Sequence, residues 1–321
     1  MRRRPTVLTS LAVAAALTLA ACSGGEEEPA AQESAPAEES ASAEATPAGT
    51  ELPGVEGAFG EEPTIEFPGT GAPADLQVEV LQEGDGREVG ADDFVVANYK
   101  GQVWDGDVFD SSFERGAPTG FSLNGVIQGW KQGLTGTQVG DRVLLSIPPD
   151  LGYGDQETGG IPAGSHLVFV VDVIDAYAPD ASGEAGATPA SPAPDLPVTV
   201  EGELGAPATI SVEEGAPEPT ERSTTVIATG SGEPVTADAG GSVIVQIAET
   251  LWDNSQKSST WETDGVRAVG MGQGGLFDQL AGVPVGSRVV FQLPAAEASA
   301  ATQAVPAFAA VVDVVGFVPA P

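Results

Sequence analysis

The sequence predicts an α+β chain in which one small domain occurs twice, each copy an antiparallel sheet crossed by one short helix. Three observations carry that reading. Long β-branched and aromatic runs bounded by Gly, Pro and Asp recur along the chain, as at residues 94–104 and 166–177. A single stretch has clear helical spacing, residues 127–134, with Ile127, Trp130 and Leu134 on one face. The second half also repeats the first. VEGAFGEEPTI at 55–65 matches VEGELGAPATI at 200–210, Trp104-Asp105 returns as Trp252-Asp253, VGDRV at 139–143 answers VGSRV at 285–289, and VVDV at 170–173 answers VVDV at 311–314. Two copies at so long a period describe a duplicated domain rather than a solenoid of short units, so each copy must carry its own core.

The elements follow in order. Residues 1–22 begin with MRRR, continue through a short apolar stretch and end in Leu19-Ala20-Ala21-Cys22. This has the layout of an export signal and resembles a bacterial lipoprotein lipobox. That resemblance implies cleavage before Cys22 and a lipid on its thiol, which places the protein outside the cytoplasm, anchored to the cell membrane. The apolar stretch falls short of the roughly 20 residues a spanning helix needs. Residues 23–50 contain seven Glu, no basic residue and no aromatic, too little apolar surface to offset chain entropy, and read as a disordered acidic tether.

The first copy spans residues 51–177. LQVEVL at 76–81 alternates, and the runs at 94–104, 142–148 and 166–177 read as strands. The helix at 127–134 has Asn124 near its start as a cap and covers the apolar face of the sheet. Residues 178–195, APDASGEAGATPASPAPD, read as a linker. The second copy, 196–321, keeps strand-like runs at 242–252, 288–294 and 308–317.

Composition removes several function classes. Twelve Lys and Arg against 47 Asp and Glu give a net charge of −35, which repels phosphate backbones and argues against a nucleic-acid partner. One Cys and one His supply neither an ordinary zinc site nor a Cys-His nucleophile pair, and no cofactor or metal is expected. His166 stands alone at a strand start, with no partner for acid-base or metal chemistry.

The motifs NYKG at 98–101, VFDSS at 108–112, VIQGWKQGL at 126–134, VGDR at 139–142, IPPDLGYG at 147–154 and GGIPAGSHLVFVVDV at 159–173, in that order and spacing, resemble the FKBP-type peptidyl-prolyl cis/trans isomerases over residues 75–177. The resemblance implies, for each copy, an antiparallel half-barrel wrapped around one short helix. It implies isomerisation of X-Pro bonds in unfolded or flexible exported chains, and macrolides as possible inhibitors. Rotation about such a bond breaks nothing covalent, and the barrier is the amide resonance that the twisted state loses. A shaped, dry pocket is therefore a sufficient catalyst.

By the same resemblance Trp130 forms the floor under the proline ring, Tyr99, Phe109 and Phe169 are aromatic walls, and Val126, Ile127 and Ile161 complete the apolar lining. The Ile127 N–H and the Tyr153 hydroxyl donate to substrate carbonyls, and Asp110 faces the twisting amide, held by Arg115. The sequence departs from the family where a further pocket aromatic is expected: Thr119 and Gly120 stand there and Phe121 comes late, which predicts a thinner wall. Residues 150–165 hold no inserted chaperone domain.

In the second copy the site is gone. Lys257 and Ser258 stand at Phe109 and Asp110, Gly272 and Gln273 at Val126 and Ile127, and Leu276 at Trp130, with Ser299 alone to stand in for Tyr153. This copy reads as a degenerate domain kept for binding, spacing or stability. A rival to the enzyme is a membrane-tethered, non-catalytic lipoprotein that uses both domains as docking or chaperone surfaces.

Overall fold

Strands form where the apolar runs are longest. In a computed structural model that describes residues 51–237, 241–263, 265–296 and 304–319, the first half contains β1 (Gly54–Glu56), β2 (Thr64–Glu66), β3 (Gln77–Gln82), β4 (Phe94–Val103), β5 (Val108–Ser111), β6 (Thr119–Ser122), β7 (Arg142–Ile147) and β8 (Leu167–Tyr177). The signal sequence with Cys22 and the tether lie outside the described residues. No helix among the described residues is long and apolar enough to cross a membrane.

Five strands run in the antiparallel order β3-β7-β8-β4-β5, with β6 paired to β4, and β1-β2 is a separate hairpin. Alternation along β4 sends Val95, Ala97 and Tyr99 to one face, where they meet Trp130 and Leu134 of α2 (Gln128–Leu134) in the main core. The helix lies close to β7 because Gly129 and Gly133 face it: a Cβ on either would come within 2.3 Å of Ile147 or 2.6 Å of Leu145. Ile127, not Asn124, is the N-cap, and it supplies no side-chain bond. Asn124 Oδ1 instead accepts from Lys131 Nζ at 2.6 Å, because the cation one turn into the helix is the stronger donor. A second, one-turn helix, α1 (Ser112–Arg115), was not expected. Ser111 Oγ caps it by accepting from the Glu114 N–H, and Gly116 closes it in the left-handed region.

The other face of the sheet is also covered. Leu52, Val55, Ile65 and Phe67, on and around the β1-β2 hairpin, pack on Leu144, Val168 and Val170, and a buried ion pair ties the hairpin down. Arg142 grips Asp172 through Nε at 2.6 Å and Nη2 at 2.8 Å, and its remaining donors reach the Gly57 and Glu61 carbonyls. The Gly60 N–H donates to Asp172.

The second half has β9 (Thr188–Pro189), β10 (Val198–Glu201), β11 (Thr209–Val212), β12 (Ser223–Thr229), β13 (Ser242–Leu251), β14 (Lys257–Ser259), β15 (Arg267–Gly270), β16 (Arg288–Leu293) and β17 (Phe308–Val318). Its order is β14-β13-β17-β16-β12-β9, with β15 on β13 and β10-β11 apart. Read from β14 to β12, this is the order of the first sheet. Arg288 and Asp313 reproduce the ion pair at 2.6 and 2.9 Å, with Arg288 reaching the Gly202, Glu203 and Ala206 carbonyls. The repeated VG-x-RV and VVDV motifs are these two pairs. Where the first half has α2, the second has a 3-10 turn, Leu276–Leu280, so its expected α-helix is not formed; three glycines at 272, 274 and 275 precede it and weaken a helix start.

Residues 178–195 are more than a connection. β9 pairs with β12, the Gly183 N–H donates to Asp313, and the Glu184 N–H donates to Gly286 O. Side chains add to these main-chain bonds: Glu184 accepts from the Ser231 N–H at 2.7 Å and Ser182 Oγ from Trp261 Nε1 at 2.9 Å. The two halves meet through Val96, Phe94, Ile174 and Tyr177 on one side and Ile244, Val266, Val315 and Val318 on the other.

His166 sits against Trp104, with Nε2 2.9 Å from Ser146 Oγ. Burial lowers its pKa from 6.5 to about 4. Between those values the unfolded chain binds a proton that the folded one refuses, so this group withdraws stability as pH falls from about 6.5 to about 4. Urea midpoints measured across that window are expected to fall further for the natural chain than for His166→Gln.

Candidate active site

Four strands, one helix start and two loops converge on a cavity of about 270 Å³ lined by Tyr99, Phe109, Asp110, Phe121, Gly125, Val126, Ile127, Trp130, Tyr153 and Phe169. Tyr99 enters from the inward face of β4 and Phe169 from β8. Trp130 rises from α2, buried to 4% exposure. Its ring meets Tyr99, Phe121 and Phe169 edge to face at 5.4, 5.2 and 5.2 Å, the geometry that ring quadrupoles favour. The indole Nε1–H has no hydrogen-bond partner among the described residues. The floor is a rigid aromatic platform with only weakly polar walls.

Phe121 corrects the expected thin wall. Its place on β6, opposite Val95, turns its ring inward between Tyr99 and Trp130, so the late aromatic fills the side left by Thr119 and Gly120. Strand alternation would have found it, since β6 reads Thr-Gly-Phe-Ser with the ring on the inward parity. Ile161 stands behind these rings. It is buried in the core cluster that includes Trp130, drawn in by a tight turn in which its N–H and carbonyl both bond to Thr158.

One polar corner remains. Asp110 accepts from the Tyr99 hydroxyl and from Arg115 Nη1. Arg115 Nη2 donates to the Tyr99 oxygen at 2.7 Å and to Thr119 Oγ1 at 3.3 Å, and the guanidinium stacks 5.4 Å from the Tyr99 ring centre. Burial and the Asp110 bond push the Tyr99 phenol up to about 12, so it stays a neutral donor. Burial disfavours the Arg115 charge, but its bonds to Asp110 and Tyr99 outweigh this and raise its pKa above the usual value. The carboxylate is therefore paired and fixed at the cavity wall.

Two donors are left unused. The Ile127 N–H, at the helix N-cap, and the Tyr153 hydroxyl, on a rim residue 36% exposed, bond to no other group among the described residues. The aromatic walls allow little change: a Cβ on Gly101 would meet the Phe169 and Phe109 rings at 2.7 and 2.8 Å. Gly101→Ala is expected to drive one ring into the cavity and raise KM for a proline peptide several-fold, a result to be read from initial rates.

The second half repeats the frame of this site with other side chains in it. The Tyr99 N–H donates to Ser112 Oγ at 2.8 Å, and the Ile247 N–H donates to Thr260 Oγ1 at 2.9 Å in the matching place. By the strand pairing, Ile247 stands for Tyr99, Ser258 for Asp110 and Glu249 for Gly101. Phe291 rises from β16 against Phe277. Ser299 lies outside the described residues. Among the described residues no group of His, Cys, Asp or Glu is placed to hold a metal.

The cavity is thus an aromatic cleft with two unused donors on a sheet crossed by one helix. The profile of the FKBP-type peptidyl-prolyl cis-trans isomerases matches residues 86–174. The probable FK506-binding protein of Corynebacterium glutamicum is 41% identical over 117 residues, 36% of this chain and 99% of that protein. The FKBP-type peptidyl-prolyl cis-trans isomerase FkpA of Escherichia coli K12 is 41% identical over 138 residues, 42% of this chain and 50% of that protein. The crystal structure of FkpA from Escherichia coli aligns at 44% identity over 32% of this chain and 47% of that one, with a TM-score of 0.31. The chain belongs to the FKBP-type peptidyl-prolyl cis-trans isomerase family. Its match spans half the length of FkpA.

Proposed function

We propose that this protein is a peptidyl-prolyl cis/trans isomerase whose catalysis resides in the first half, and that it acts on proline-containing unfolded or flexible polypeptides outside the cytoplasm. The observation that carries the reading is the pairing of an apolar, aromatic-floored cavity with two unused donors at its rim. The proline ring rests on Trp130, between Tyr99, Phe121 and Phe169. The Ile127 N–H and the Tyr153 hydroxyl take the carbonyls on either side of the proline and fix the pose. Twisting the amide reduces its polarity, so a dry aromatic cavity favours the twisted state over the planar one. Asp110, held by Arg115 and Tyr99, lies at the cavity wall facing the amide. The uncatalysed bond turns over in tens to hundreds of seconds, slow enough to limit folding.

The second half is in this reading a degenerate FKBP-like domain, supported by the shared strand order and the repeated ion pair. A lipid on Cys22 tethers the chain to the membrane, supported by the residues that precede that cysteine. The name of the Corynebacterium relative supports macrolides of the FK506 kind as ligands of the same cavity. The test is the cis-to-trans rate of an Ala-Leu-Pro-Phe peptide with added full chain, with and without FK506. Acceleration that FK506 removes supports the proposal. Binding of the peptide with no acceleration would instead establish a docking protein.

A further inference from the structure

Phe109 lines two cavities. Besides the proline pocket it walls a hollow of about 420 Å³ between the β4-β5 turn and the loop at 159–162. Val103, Val108 and Pro162 supply further apolar wall, and Val108 is 37% exposed there, an apolar side chain left uncovered. On the loop side stand Gly159 and Gly160, both at positive φ, with open space where a side chain would begin. The hollow has one charged group, Asp107. Its main-chain oxygen accepts from the Val103 N–H, and its carboxylate has no hydrogen-bond or ion-pair partner among the described residues.

We infer that this hollow is a subsite for a Lys or Arg side chain of the substrate, the residue next to the bound proline. The inference rests on the proposed isomerase reading and names the substrate that reading leaves open. A chain whose proline sits against Phe109 carries its neighbouring residue along the same ring, since consecutive Cα atoms are only about 3.8 Å apart. The walls suit a methylene stem and the carboxylate suits a cationic head, the division that long basic side chains make when they lie along apolar surface with the charge held outward. A large apolar side chain would fill the walls but strip water from Asp107 without pairing it. An acidic one meets a like charge. The net charge of −35 works in the same direction at longer range by drawing basic segments toward the surface.

The experiment uses two peptide series, Ala-Xaa-Pro-Phe and Ala-Leu-Pro-Xaa, with Xaa as Lys, norleucine or Glu. kcat/KM and Kd are both measured with the full chain, with Asp107→Lys and with Glu214→Lys. Glu214 is an exposed residue beyond β11 in the second half, so its variant changes the net charge equally without touching the hollow. At low salt the Lys peptide is expected to exceed the Glu peptide by about threefold or more at one of the two positions, as one exposed ion pair gives. That ratio should shrink as salt is raised. Asp107→Lys should invert it and Glu214→Lys should leave it. A ratio that Asp107→Lys does not move, or that Glu214→Lys moves equally, overturns the subsite. A Lys preference that survives in Kd while no peptide is isomerised supports the subsite and sinks the isomerase reading alone.

Discussion

Trp130→Leu is expected to lower kcat/KM for a proline peptide by about 10- to 100-fold while leaving the chain folded. Trp130 is the surface common to three ring contacts, each worth about 0.5–1.5 kcal/mol beyond simple burial, so its loss both lowers the floor and frees the walls. Stability should fall by about 2–4 kcal/mol, less than for truncation to Ala because Leu refills part of the volume. Two features make Leu the informative replacement. The indole Nε1–H has no partner among the described residues, so removing it orphans nothing, and Leu276 falls opposite Trp130 when the sequences of the two halves are aligned on Gly286 and Gly140. Melting temperature and initial rates on the same preparation check the result. A variant that melts low but keeps full kcat/KM would make Trp130 a core residue and nothing more.

The second large effect is on stability. Asp172→Ala is expected to cost about 3–5 kcal/mol, because it leaves Arg142 buried at 2% exposure with no counter-charge. It also strips the Gly60 N–H of its acceptor, so the β1-β2 hairpin should loosen from Leu144, Val168 and Val170. Replacing both members, as Arg142→Met with Asp172→Leu, should recover only part of the loss. The buried charge is gone, but so are the bonds by which Arg142 held the Gly57 and Glu61 carbonyls of the hairpin, about 0.5–1.5 kcal/mol each. Urea unfolding of the single and double variants measures the difference. A double variant as unstable as the single one would place the whole cost in the carbonyls rather than in the lone cation.

These variants rest on features that the sequence showed unequally. The long strands were legible because β4, β7 and β8 are β-branched runs ended by Gly, Pro or Asp, and α2 was legible from three apolar residues on one face. Most of the pocket was legible by family resemblance, since Tyr99, Phe109, Asp110, Val126, Ile127, Trp130, Tyr153 and Phe169 all line the one cavity, while Arg115 stands beside it on Asp110. Ile161, assigned to the lining by resemblance, is buried in the core cluster that also holds Trp130 and Phe169. Phe121 was undervalued because its position was counted along the chain, whereas a strand places side chains by parity.

Other features left signals that propensity alone does not weigh. Ser111 and Glu114 have the spacing of a capping box, with Gly116 to end the turn, yet four residues are too few for an apolar period. The two hairpins, at 54–66 and 198–212, were visible only as a repeat, since each strand is three or four residues long. The contact between the halves was written in β4 and β8 as apolar residues on both faces. Val96 and Ile174 sit on the parity opposite the pocket, and a sheet with one face in water would have carried polar residues there.

The measurement closest to the central claim is two-dimensional exchange NMR on an Ala-Leu-Pro-Phe peptide with about one-hundredth molar equivalent of the full chain, followed by the Trp130→Leu variant. The account predicts exchange peaks between the cis and trans forms within seconds, absent from the free peptide and strongly reduced in the variant. Peptide shifts that report binding to the natural chain, with no exchange peaks, would contradict it and leave a protein that holds prolines without turning them.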